Sequence, residues 1–150
     1  MKTLILALLA AIRAVESTNG LDPRAGGNDL QITPVCIRDV NRVYGTSYTM
    51  DDVTDRRRSE EIAVLYLSYW GPRKSSSPDE ETFARIWHRG PSKWRDKKGD
   101  AYWLKVRRHI NKTKRKDNTK WTDQKERRTG PPHARGGSAG TTRSSALGTR

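Results

Sequence analysis

The sequence predicts an all-α fold: a small helical domain over residues 1–111, followed by a basic, disordered tail over 112–150. Three observations carry this. Apolar residues recur at intervals of three and four in five successive segments, and no segment alternates as a half-buried strand does. Gly and Pro punctuate those segments where helices stop and start. Charge is unevenly distributed: of the chain's net +13, the last 39 residues carry +8, with 11 Lys/Arg against 3 Asp/Glu.

Leu4, Leu8, Ala11 and Val15 share one helical face, which predicts a core helix over 3–17 ending at Glu16. Met1-Lys2 and the apolar run Thr3 to Ile12 imitate a secretory signal, with a charged start and a short apolar stretch. The run falls short of the roughly 20 residues a membrane-spanning helix needs, so no transmembrane segment is expected. Cleavage near Ala10-Ala11 or Ala14 would strip Glu16 of its helix, and we read the run as core.

Residues 19–29, with Gly20, Gly26 and Gly27, read as a loop. Pro34 suits the first turn of a second helix that runs to Tyr44 and stops at Gly45. Its Val40 and Val43 face inward, and Arg38, Asp39 and Arg42 outward. A third helix spans Asp55 to Trp70, with Ile62, Leu65, Tyr66 and Tyr69 as its apolar face, and Gly71-Pro72 ends it. Ser77-Pro78-Asp79-Glu80 reads as a fourth helix start, with Ser77 as cap, and this helix carries Phe83, Ile86 and Trp87 to Gly90-Pro91. A basic loop over 93–98 leads to a fifth helix with Trp103, Val106 and Ile110 on one side.

With 33% hydrophobic residues and a mean hydropathy of −0.93, the chain holds enough apolar matter for one modest core. Residues 130–150 contain one bulky aliphatic, Leu147, and cannot bury enough surface to offset the entropy of ordering. The lone Cys36 excludes an internal disulfide and reads as a buried thiol beside Ile32 and Val40. His88, His109 and His133 are too far apart for metal-ligand spacing, so neither a metal nor another cofactor is expected.

Glu16 is the residue with the clearest chemistry. An acid at a helix C-terminus opposes the macrodipole, and an apolar face beside it raises its pKa by desolvation. Both effects suit a general acid; the alternative is an exposed helix-end carboxylate or a partner for Arg13 or Arg24. Glycoside cleavage needs such a proton donor beside the bridging oxygen. Asp22 and Asp29 are the nearby acids able to act as a second carboxylate.

Four short blocks, in order, resemble the lytic transglycosylase family of lysozyme-like proteins. They are Glu16-Ser17, Leu30-Gln31-Ile32, Ala84 to Pro91 around Trp87-His88, and Tyr102-Trp103-Leu104-Lys105-Val106. Thr18 follows Glu16-Ser17 where the family has Gly, Asn28-Asp29 precede Leu30 where it has Gly, and His88 stands where it has Asn. The resemblance implies a lysozyme-like helical domain that cleaves the β-1,4 bond between N-acetylmuramic acid and N-acetylglucosamine in peptidoglycan glycan strands. Glu16 would be its single catalytic acid, returning as base so that the substrate's own hydroxyl closes a 1,6-anhydro ring. Such a protein would be phage-associated or belong to the cell envelope.

For substrate binding, the Gln31 amide can donate to and accept from a sugar, or simply hydrogen-bond the turn before the second helix. Trp87, Trp94, Tyr102 and Trp103 offer aromatic faces to sugar C–H groups; Trp87 and Trp103 also fit the core, while Trp94 lies in a polar loop. His88 is either a glycan donor or a surface residue. The Lys112–Arg128 region has the composition to bind nucleic acid or another anionic polymer, or to act as a solubilising extension. The competing function is therefore a nucleic-acid-binding, virion or wall-associated protein without catalytic activity.

Overall fold

The computed structural model describes the backbone of residues 1–18 and 28–129, and the side chains of 1–16 and 28–116. Among these the fold is all-α, without a strand. Five helices follow in order: α1 (Lys2–Thr18), α2 (Pro34–Tyr44), α3 (Arg56–Lys74), α4 (Glu80–Arg89) and α5 (Asp100–Thr129). Short 3₁₀ turns precede α3, at Asp51–Thr54, and α5, at Lys97–Gly99. Helix α1 packs against α3, α4 and α5, and α3 in turn packs against α2 and α4.

The signal-like run is part of the core: its Ile5, Leu8, Leu9, Ala11 and Ile12 are all buried, as is Val15 after it. The buried face of α1 is wider than the predicted stripe because three helices cover it. On α2 the first turn forms as expected, with Pro34 at its start and the Thr33 hydroxyl accepting from the Cys36 N–H at 3.4 Å. Gly45 ends it in the left-handed conformation, φ 65°, which glycine adopts without a Cβ clash. Asn41 shapes the following turn by accepting from Thr46 Oγ1 (2.8 Å) and Tyr48 N (2.9 Å) and donating to the Tyr48 carbonyl (2.8 Å).

Helix α3 corrects two expectations. Its buried residues, Ile62, Ala63, Val64, Tyr66 and Leu67, lie on most of its circumference, because α1, α2 and α4 surround it. It also runs through Gly71-Pro72 to Lys74 rather than stopping at Trp70. The added turn is tied back to the preceding one: the Arg73 guanidinium stacks on Tyr69 at 3.6 Å and donates to the Tyr69 carbonyl at 2.8 Å, and Lys74 lies over Trp70. The start of α4 is shifted too. Asp79, not Ser77, is the cap, since its carboxylate accepts from both the backbone N–H and the hydroxyl of Thr82, at 2.8 and 2.7 Å.

On α5 the inward side chains are Tyr102, Val106 and Ile110, with Trp103 only partly buried. Arg85 ties α4 to α5 by donating to Glu81 (2.7 Å) and Asp100 (2.6 Å). The helix then continues past the predicted boundary at residue 111 as far as Thr129. Among the described side chains Ile110 is the last that is buried, and residues 111–116 are exposed although the helix continues. Residues 130–150, predicted to be unfolded, lie outside the described residues.

Gly71 sits flush against the Phe83 ring, where an added Cβ would overlap Cε1. Gly71→Ala should therefore cost about 1–3 kcal/mol through overpacking between α3 and α4, read as a lower urea midpoint. Gly90→Ala, at a position with open space around it, separates this effect from backbone strain.

Candidate active site

Glu16 lies in the last turn of α1, 8% exposed, with its side chain against the core rather than in solvent. Val15 and Ile12 precede it on the buried side, so the apolar periodicity that makes α1 a core helix also carries the acid inward. Arg13, a predicted alternative partner, instead pairs with Asp29 and with Glu60, the latter at 3.0 Å. Asp29 is thereby engaged by Arg13, and Asp22 and Arg24 lie outside the described residues.

The partner of Glu16 comes from the other end of the domain. Tyr102, in the first turn of α5, donates its hydroxyl to Glu16 Oε1 at 2.7 Å in a buried hydrogen bond. Tyr102 is 5% exposed, so its ring is no open platform for a sugar; it holds the acid. Burial raises the Glu16 pKa above its ordinary 4.5, against the opposing pulls of the Tyr102 hydrogen bond and the Lys105 charge. Burial and the neighbouring Glu16 likewise push the Tyr102 phenol well up, so it remains a proton donor at any ordinary pH.

His88, in the last turn of α4, lies flat on Tyr102, with ring centroids 4.1 Å apart and planes 5° from parallel. Its other side is exposed. Burial of the covered face, then the charges of Arg89 and Lys105, lower its pKa from the ordinary 6.5.

Gln31 approaches from the segment before α2, where it donates Nε2 to the backbone carbonyl of Glu16 at 3.3 Å. That carbonyl is among the last four of α1, which lack partners within the helix. Gln31 has φ 53°, a left-handed conformation that costs an L-residue about 1–2 kcal/mol. Buried Asn28 sustains this turn: its side chain accepts from Ile32 N (2.9 Å) and donates to Ile32 O (3.2 Å), while Gln31 N donates to the Asn28 carbonyl (3.0 Å).

Glu16, Tyr102, His88 and Gln31 thus form one connected group, drawn from four segments. The other two predicted binding residues have different partners. Trp87 meets Tyr66 edge-on at 6.1 Å, and Trp94 is partly buried, with the Arg95 guanidinium 4.7 Å from its ring centre. Two residues of the site were not singled out in the sequence. Lys105 lies one turn beyond Tyr102 on the same face, a spacing that signals shared surroundings. Asn28 carries only the weak signal of a polar residue entering an apolar segment. Cys36 is buried, and burial pushes its thiol up, in keeping with a packing role.

Among the described residues no cluster of three His, Cys, Asp or Glu side chains is arranged to hold a metal ion, and no helix is long and apolar enough to cross a membrane. Comparisons with protein families, curated proteins and solved structures give no match to this chain.

A carboxyl group with a pKa higher in the folded chain than in the unfolded one holds its proton more readily when folded. Its contribution to stability is full at low pH and is lost as pH rises from 4.5 through the folded value. Glu16→Gln keeps an acceptor for Tyr102 without that dependence. Its melting temperature relative to the parent should climb as pH rises above 4.5, and a constant difference would contradict burial of the acid.

Proposed function

We propose that this protein is a peptidoglycan-cleaving glycosidase of lytic transglycosylase type, with Glu16 as its single acid and base. The observation that supports the reading is the Glu16 carboxyl itself: buried at the end of a core helix, raised in pKa and hydrogen-bonded by one phenol. A group so placed keeps its proton nearer to neutral pH than a surface glutamate does, which is what protonating a glycosidic oxygen requires. Once the leaving sugar departs, the same carboxylate takes the proton from the C6 hydroxyl of the muramic acid, and that oxygen closes on C1. No second acid is needed, which accords with Asp29 being engaged by Arg13. The Tyr102 hydrogen bond steadies the carboxylate in the half-reaction where it is charged.

Incubating the protein with purified peptidoglycan should release anhydro-muropeptides, identified by mass spectrometry. Glu16→Gln should lower the rate by at least about a hundredfold, the range of a lost general acid. Reducing-end products would turn the reading to a hydrolase, and release undiminished in Glu16→Gln would remove Glu16 from the mechanism.

A second reading rests on α5. Arg108, Asn111, Lys112, Arg115 and Lys116 line one open surface groove of about 430 Å³ on either side of Ile110 in sequence, while Lys114 reaches Glu80 at 3.4 Å. Cations three and four residues apart on an exposed helix repel one another, and a phosphate backbone relieves that repulsion. In this reading the chain binds nucleic acid without sequence preference. The plot of log affinity against log salt should be linear for duplex DNA, and Lys112→Gln with Lys116→Gln should flatten its slope by about 0.9 per charge removed.

A further inference from the structure

The connected group contains one titratable side chain for which the single-acid scheme has no use. His88 stacks on Tyr102, and Tyr102 in turn donates to Glu16. The near-parallel rings, 5° apart in orientation and 4.1 Å between centroids, fix the plane of the phenol. The phenol oxygen lies in that plane, so the stack confines it to the plane in which it meets Glu16 Oε1. The three residues come from α4, α5 and α1, so the chain of contacts depends on how the helices pack and not on local spacing.

We propose that His88 is a positioning residue for Glu16, acting through the Tyr102 ring. When neutral, the imidazole holds the phenol flat, with its hydroxyl on the carboxyl group. When protonated, it sets a positive charge against the face of the phenol, draws electron density from it and makes its O–H a stronger donor. A stronger donor favours the carboxylate over the acid, so each proton that His88 takes makes the proton on Glu16 easier to release. The coupling is reciprocal: an ionised Glu16 must favour a protonated His88 to the same degree.

Burial raises Glu16 from 4.5, while burial, Arg89 and Lys105 lower His88 from 6.5, so each group shifts toward the other's ordinary range. Of the charged groups facing the pair, Arg89 on α4 and Lys105 on α5 oppose protonation of His88, and Lys105 also favours ionised Glu16. Arg13, next to Glu16 on α1, is engaged by Asp29 and Glu60.

The catalytic meaning of this coupling rests on Glu16 being the acid proposed above, but its test does not require activity. Glutamate side-chain carboxyl and histidine ring signals of the full-length chain can be followed by NMR titration, with the Glu16 signal assigned from Glu16→Gln. His88→Phe, which keeps a flat ring on Tyr102 but cannot take a proton, should raise the Glu16 midpoint. Glu16→Gln should lower the His88 midpoint by the same amount. In Tyr102→Phe, which keeps the stack and removes the hydroxyl, the effect of His88→Phe on Glu16 should shrink to less than half. His88→Gln, uncharged and without an aromatic ring, should additionally broaden the Tyr102 signals, which separates ring stacking from charge.

A Glu16 midpoint unmoved in both His88 variants overturns the proposal. A coupling undiminished in Tyr102→Phe overturns it as well, because the charges then interact directly. Shifted midpoints without muropeptide release from the parent protein would uphold the positioning role and sink the glycosidase reading. Release with an unmoved midpoint would do the reverse.

Discussion

The buried hydrogen bond between Tyr102 and Glu16 is the constraint on which the arrangement of this domain turns. A carboxyl group taken out of water is costly unless a donor meets it, and here the donor lies 86 residues along the chain. The bond joins the last turn of α1 to the first turn of α5, and those helices also share the apolar contact that closes the core. Correct helix packing therefore delivers the donor to the acid. An acid left inside without that donor would oppose the packing that buries it.

A half-buried cation sets the other side of α1. Arg13, one turn before Glu16, receives Asp29 from the segment after α1 and Glu60 from α3. The two ionisable residues of this helix end are thus separated in function: the cation is neutralised by two acids, and the acid is left with a neutral phenol. Burial is what raises the Glu16 pKa, and with Arg13 paired elsewhere no Arg13–Glu16 ion pair offsets it. Gln31 completes the arrangement by taking the Glu16 main-chain carbonyl, at the expense of a left-handed backbone.

Helix α5 changes character along its length. Its first part turns Tyr102, Val106 and Ile110 inward, and from residue 111 to 116 it is exposed on all sides. Its 30 residues extend about 45 Å, so one rigid element supplies both the phenol of the site and the basic groove beyond the core. A polyanion bound at the groove would lie on the same helix that carries Tyr102 and Lys105.

Much of this was legible in the sequence, because helices announce themselves locally. Apolar spacing predicted five helices, Pro34 and Gly45 bounded α2, and the apolar face of α1 ended at Glu16. Where helix ends were misplaced, competing local contacts decided them. The i,i+4 contacts of Arg73 with Tyr69 and of Lys74 with Trp70 accompany the run of α3 through Pro72, and the double hydrogen bond to Thr82 makes Asp79 rather than Ser77 the cap of α4. The sequence by itself thus determined an all-α chain with an acid at the end of its first core helix, since periodicity and capping act over a few residues. Only the tertiary structure decided that Tyr102 serves the acid instead of facing a ligand, that His88 lies on Tyr102, and that Arg13 turns to Asp29 and Glu60. Those pairings join residues far apart in sequence, and packing against a shared core is what brings them together.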